Sequence, residues 1–134
     1  MGSEMKLSQA EPEIRDALER LAIKPESSHP FVVVTANHEG RDRFVQFYGS
    51  AERGINLDLP VAQFNLSEHM LIVTERIDGP LDGLLEKTTE HGYCHERCTS
   101  ADGATWAVAI LTVLNFPAEA DIVIEEHADG TGLA

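Results

Sequence analysis

The densest group of reactive side chains in this chain is Glu90-His91-Gly92-Tyr93-Cys94-His95-Glu96-Arg97-Cys98. Its two imidazoles and two thiols are the ligand types that hold zinc in a tetrahedral site. The spacing argues against such a site. Structural zinc usually draws two separate ligand pairs from different parts of a chain, whereas His91, Cys94, His95 and Cys98 fall within one short stretch. A partial site completed by His69 or His127 is the form in which the cluster would bind metal. Otherwise His91 closes a helix, where a cation favours the carboxyl-terminal end of the helix dipole, and the rest is loop. His91 and His95 are four apart, but Gly92 interrupts the helix that a His-Glu-x-x-His metal motif requires. Cys94 has only Arg97 as a nearby cation, whereas a nucleophilic thiolate needs a defined electropositive setting.

Other chemistry leaves no signature. The chain has no Gly-x-Ser-x-Gly nucleophile elbow and neither glycine-rich phosphate-binding pattern. Asp78-Gly79 and Asp102-Gly103 lack the ligand series of a calcium loop. Asp58 could serve as a general base, but on an alternating strand it reads as a solvent-facing residue. No catalytic residue and no cofactor are expected.

Positioning these residues requires a scaffold. Residues 8–23 read as a helix. Ser8 and Glu11 form a capping-box pair, Pro12 lies in the first turn, and Ile14, Leu18 and Leu21 make one apolar stripe. Phe31–Ala36 and Arg43–Tyr48 read as a hairpin across the Asn37–Gly40 turn. The second of these strands is apolar on both faces and should be central. Ile55–Leu59 alternates apolar and polar, as a strand with one wet face does. After Pro60, residues 61–68 are ambiguous, and Met70–Thr74 is read as a strand because β-branched residues cluster there. A helix opened by Ser67 and Glu68 is the alternative. Asp78-Gly79-Pro80 breaks the chain, and residues 80–91 read as a helix whose inner stripe is Leu81, Leu84, Leu85 and Thr88, with Gly92 as its left-handed cap. Residues 93–103 read as irregular, and 104–116 as a helix apolar nearly all round, ended by Pro117. Residues 119–127 suit an edge strand or a short helix.

The expected fold is α+β: an antiparallel meander sheet of about four strands, with N-terminal, middle and C-terminal helices mainly on one face. Residues 1–7 are expected to be a disordered start or an expression remnant, 8–127 a single domain, and 128–134 a flexible acidic tail.

The bulk numbers narrow the function. A chain of 134 residues suits one domain. Twenty-three acidic against 10 basic residues give a formal net charge of −13, which repels phosphate backbones and anionic lipid surfaces. Nucleic-acid and membrane partners are therefore not expected; the charge reads first as a solvated, soluble surface, and it would also suit a basic partner. No apolar run reaches the ~18 residues of a membrane span, and the first residues carry no apolar signal region, so a cytoplasmic protein is expected. What remains is surplus apolar surface, for which a partner is a common destination. The contact candidates are Phe44, Phe47, Ile55, Leu57, Trp106 and Ile110.

In outline the chain resembles the chaperone-like domains of the type III secretion chaperone and YbjN class, including the TY-Chap peptide-binding domains. Arg43–Phe47 resembles that class's second strand and Gly54–Asp58 its third. Leu81–Leu85 leading into His91-Gly92-Tyr93 is similar to its leucine-rich helix closing in a glycine-aromatic pair, and Val108–Phe116 before Pro117 to its last helix. The stretch 61–80 departs from the pattern by being long and carrying its own apolar run. The resemblance implies a non-enzymatic module that holds a protein or peptide client, often as a homodimer, with no cofactor. Two other classes stand beside it. One is a metal or thiol regulator built on His91, Cys94, His95 and Cys98. The other is a small enzyme without a recognisable motif, which would need a deep pocket with paired ionisable groups.

Overall fold

The computed structural model describes residues 5–86 and 92–128. The fold is α+β: one antiparallel sheet carrying three helices on one of its faces. In chain order the strands are β1 (Met5–Lys6), β2 (Pro30–His38), β3 (Arg41–Ser50), β4 (Gly54–Pro60), β5 (Leu85–Glu86), β6 (Gly92–Cys98) and β7 (Asp121–Ala128). The helices are α1 (Ala10–Leu21), α2 (Leu66–Asp78) and α3 (Ser100–Val113). The sheet runs β1-β7-β2-β3-β4-β6-β5, seven strands against the four expected, and two of the seven are only two residues long.

The expected meander is β2-β3-β4. Its first turn is Glu39-Gly40, with φ of 54° and 80°, the pair of left-handed residues that matches the twist of a two-residue hairpin. His38 therefore pairs with Arg41, and Asn37 and His38 belong to the strand rather than to the turn. At the second turn, Gly49 and Gly54 approach so closely that a Cβ on Gly49 would collide with the Gly54 carbonyl.

Val32, Val34, Val45, Phe47, Leu57 and Leu59 leave the sheet on one side and are buried under the helices. From α1 come Ile14, Ala17, Leu18 and Leu21, the stripe expected from its spacing together with an alanine beside it. From α3 come Ala104, Ala107, Ile110 and Leu111. Gly103 lets α3 sit down on the sheet, because a Cβ there would lie 2.7 Å from Leu18 and 3.2 Å from Phe47.

Several expectations are corrected. Residues 70–74 are not a strand. They lie inside α2, which Asn65 caps by accepting from Glu68 N (2.8 Å) while Glu68 Oε1 accepts from Asn65 N (2.9 Å). Two capped backbone groups plus burial of Ile72 outweigh a weak strand propensity. The first helix uses no Ser8–Glu11 box. Leu7–Gln9 form a 3-10 turn in which Gln9 Oε1 accepts from Lys6 N (3.1 Å). Residues 5–7 are not disordered, since β1 pairs with β7 and Leu7 is buried. Residues 81–86 are turn and strand, not helix: Leu81 and Leu84 are core residues, while Leu85 and Glu86 pair with β6. The remainder of that expected helix, including Thr88 and His91, lies outside the described residues. Gly92 opens β6 instead of capping a helix, and 93–98 are strand rather than irregular. The last helix begins at Ser100, capped by Thr99 Oγ1 accepting from Asp102 N (2.9 Å), and ends at Val113. Residues 121–128 are strand, as one of the two expected forms, but β7 lies inside the sheet between β1 and β2, and Ala128 belongs to it rather than to the tail. Among the described residues, no helix is long and apolar enough to cross a membrane.

Candidate functional site

The reactive cluster is dispersed by the strand that carries it. Successive side chains of a strand point to opposite faces. On β6, Tyr93 and His95 lie opposite Leu59 and Leu57 of β4, on the helix-covered side, while Cys94 pairs with Asp58 on the other side. A bulge then sets Glu96 and Arg97 against the single residue Asn56, with Arg97 at φ 55° and its N–H donating to Asn56 Oδ1 (3.1 Å). The extra residue returns Cys98 to the helix side, opposite Ile55. Cys94 and Cys98 are thus on opposite faces of the sheet, and no group of three or more His, Cys, Asp or Glu among the described residues could hold a metal. His69, on α2, faces the Tyr93 ring at 6.1 Å and His127, on β7, stacks on Phe31 at 4.5 Å, and neither forms a group of three possible ligands with the described residues of the cluster. His95 packs against Trp106, ring centres 5.3 Å apart. Burial pushes the Cys98 thiol up to about 11, which makes it inert as a nucleophile at neutral pH.

The six apolar contact candidates also separate. Phe47, Ile55, Leu57 and Ile110 are core residues, corrected here, because a side chain at 0–5% exposure has no surface left for a partner. Trp106 is half-buried in the helix layer, over Gly83 and His95. Phe44 alone of the six stands on the opposite face of the sheet.

That opposite face carries the half-buried side chains of Phe31, Val33, Phe44 and Tyr48. No helix among the described residues lies over it. It is laid out in rows by the strand register. His127, Phe31 and Tyr48 form one row across β7, β2 and β3, with the Arg53 guanidinium 5.1 Å from the Tyr48 ring centre. The next row holds Glu125, Val33, Gln46, Asp58 and Cys94. A third holds Val123, Thr35 and Phe44. Two clefts open on these rows. One, about 290 Å³, lies among Glu26, His29, Phe31, Tyr48 and Arg53. The other, about 480 Å³, lies among Val33, Thr35, Phe44, Asp42 and Gln63. Gln46 lines both, so they adjoin.

Polar groups fix the walls. Gln46 Nε2 donates to Asp58 Oδ2 (2.7 Å). Where β4 diverges from β3, the Gln63 carboxamide takes its place. Its Oε1 accepts from Phe44 N (2.8 Å) and its Nε2 donates to Phe44 O and Pro60 O (both 2.9 Å). Glu26 accepts from Ser50 Oγ (2.7 Å) and from Arg53 (3.2 Å), contacts that hold its carboxyl below the usual range. Another strongly engaged carboxylate, Glu68, is on the helix side. Burial alone would raise it, but hydrogen bonds from Arg43, Asn65 N and Arg41 outweigh that and hold it low.

Phe31, Val33 and Tyr48 are the residues that sequence reasoning missed. Apolar residues on both faces of β3 signalled a second face, but Phe31-Val32-Val33-Val34 is apolar throughout, and alternation cannot then say which half is covered. Scans of the chain against family models, curated proteins and solved structures return no match.

Proposed function

We propose that this protein is a non-enzymatic protein- or peptide-binding module that holds an extended segment of a client across the open face of its sheet. The observation that carries this reading is the pair of adjoining clefts on a sheet face that the helices leave uncovered, with aromatic and aliphatic side chains in both. Contiguous apolar surface on a soluble domain marks interaction sites, and clefts that pair apolar walls with a few oriented polar groups are where ligands settle. The clefts are open to water, and Glu26, Arg53, Gln46 and Gln63 in their walls are engaged in hydrogen bonds. Asp42, Asp58 and Glu125 border the apolar rows, and the whole chain carries −13. A client segment with aromatic or branched aliphatic residues and flanking lysine or arginine matches that distribution. The chaperone-like resemblance of the sequence points the same way.

The test is selection from a displayed peptide library, followed by amide chemical-shift mapping of the selected peptides. Perturbations at Phe31, Val33, Phe44, Gln46 and Tyr48, lost in Phe31→Asp, are expected. Selected peptides that perturb only helix residues, or a library that yields no binder, would refute the open face as the binding surface.

A further inference from the structure

One wall of the cleft of about 290 Å³ is a cation of the chain's own. Phe31 and Tyr48 stand side by side across β2 and β3, both half-buried. The Arg53 guanidinium lies 5.1 Å from the Tyr48 ring centre and donates to Glu26 Oε2 (3.2 Å). An aromatic face and a carboxylate are the two elements with which proteins recognise organic cations. Arg53 comes from the turn between β3 and β4, and 52% of its side chain is exposed. A half-exposed ion pair of this kind is weak and is readily exchanged for another.

The receiving half of this arrangement does not depend on Arg53. Glu26 Oε1 accepts from Ser50 Oγ (2.7 Å), and Ser50 is fully buried. The Ser50 hydroxyl in turn accepts from Glu52 N (3.2 Å) and Arg53 N (3.0 Å), while Glu26 N donates to Glu52 Oε1 (3.2 Å). These bonds tie the Glu26–Ser28 turn to the β3-β4 turn through a buried hydroxyl and backbone N–H groups. The Glu26 carboxylate therefore keeps its place beside the cleft when the Arg53 side chain swings out. The Ser50 hydroxyl, ahead of Arg53, holds the Glu26 carboxyl below its usual range, so it is ionised at neutral pH. Around the cleft, Glu26 and Glu52 face Arg53, with His29 in the wall, on a chain carrying −13. That balance draws in a cation and repels an anion.

We infer that this cleft is an arginine subsite of the open face and that Arg53 is its placeholder. The guanidinium of a client's arginine takes over the Tyr48 ring and the Glu26 carboxylate as Arg53 moves out to solvent. A planar guanidinium both stacks on a ring and bonds a carboxylate through a fork of N–H donors, which the ammonium of lysine does not. That the arginine belongs to a client segment rests on the open-face reading; the preference of the cleft for a guanidinium does not. Because one ion pair is exchanged for another, an isolated arginine is held weakly. Neighbouring client residues on the adjoining cleft at Val33 and Phe44 supply the remaining affinity.

A titration of the full chain with a blocked arginine, Nα-acetyl-arginine amide, followed by amide and aromatic chemical shifts, tests this. Saturable shifts at Glu26, Phe31, Tyr48 and Arg53 are expected, and none from the neutral isostere Nα-acetyl-citrulline amide. Arg53→Ala should tighten the blocked arginine about three- to tenfold, because the competitor is gone, and Glu26→Gln should weaken it at least about fivefold. The sign of the Arg53→Ala effect decides the matter, since an Arg53 that only contacts the ligand or braces the turn gives weaker or unchanged binding, and either result overturns the proposal. Citrulline binding as tightly as arginine overturns it too. So does tighter binding of Nα-acetyl-glutamate amide, which would make Arg53 a carboxylate clamp, and so does a blocked arginine that leaves this cleft unperturbed in wild type and Arg53→Ala alike. Thermal melts show that each variant is folded, and Arg53→Gln repeats the test with a side chain of similar reach. The probe carries no peptide sequence, so the two readings fail separately. Library peptides that bind at Val33 and Phe44 while the blocked arginine does not bind sink the subsite alone. A blocked arginine that binds here while the library yields no binder sinks the open-face peptide reading alone.

Discussion

The two faces of the sheet are built from the same strands, often from neighbouring residues, yet they do different work. On the covered face, Phe47 and Leu57 are fully buried and meet α1 and α3. On the open face, Phe44 and Tyr48 of the same β3 strand are half-buried and border clefts. Residue type does not separate the two sets, because both contain phenylalanine and valine. What separates them is whether another layer is stacked above. Buried contacts are therefore concentrated on the covered side, and substitutions on the open face should cost less in folding.

The sharpest way to break this contrast is to truncate one phenylalanine on each face. Phe47→Ala should cost about 3–5 kcal/mol in urea denaturation, the usual toll of a large cavity. Phe44→Ala should cost less than about 1.5 kcal/mol, since its site is already open to water, while weakening peptide binding. Equal losses would mean that the open face is structurally committed after all.

Next in size is the link between the sheet and α2. Glu68→Gln removes the charge that Arg41 and Arg43 share and should cost about 2 kcal/mol. The same group sets an acid limit. Its carboxyl is held below the ordinary value of 4.5 in the folded chain, so the stability it contributes is complete above that value. That contribution is lost as pH falls through the lower folded value. In melts taken between about pH 6 and 3, Glu68→Gln should fall less steeply than wild type. An identical slope would show that Glu68 is not held low.

Gly103→Ala should cost about 1–3 kcal/mol, because the added methyl meets Leu18 and Phe47 and α3 must lift from the sheet. A Gly49→Ala change strikes backbone rather than a side chain and has no such room to relax. The smallest effect concerns thiols. At pH 8 iodoacetamide should label Cys94 on the open side readily and Cys98 only on unfolding, read by mass spectrometry. Equal labelling of both in the folded chain would contradict the opposite-face placement that disperses the metal cluster.

Local sequence determined a good deal of this molecule. The spacing of Ile14, Leu18 and Leu21 specifies the buried stripe of α1, because a helix repeats its faces by itself. The β2-β3-β4 meander follows from strand-length apolar runs separated by Asn37–Gly40 and Gly49–Gly54. The apolar surplus on β3 announced a second face. The other features depend on groups far apart in the chain. Met70–Thr74 became helix because Asn65 and Glu68 cap it and Arg41 and Arg43 anchor it from another strand. In the described part of the helix expected over 80–91, residues 81–86 are turn and strand because Leu81 and Leu84 are drawn into a core made by other elements, and Leu85 finds a partner on β6. Cys94, His95 and Cys98 look like a cluster in one dimension, but a strand alternates its faces and a bulge at Arg97 shifts that alternation by one. Which half of an apolar strand becomes core, and which becomes surface, is decided only when a helix layer covers one side.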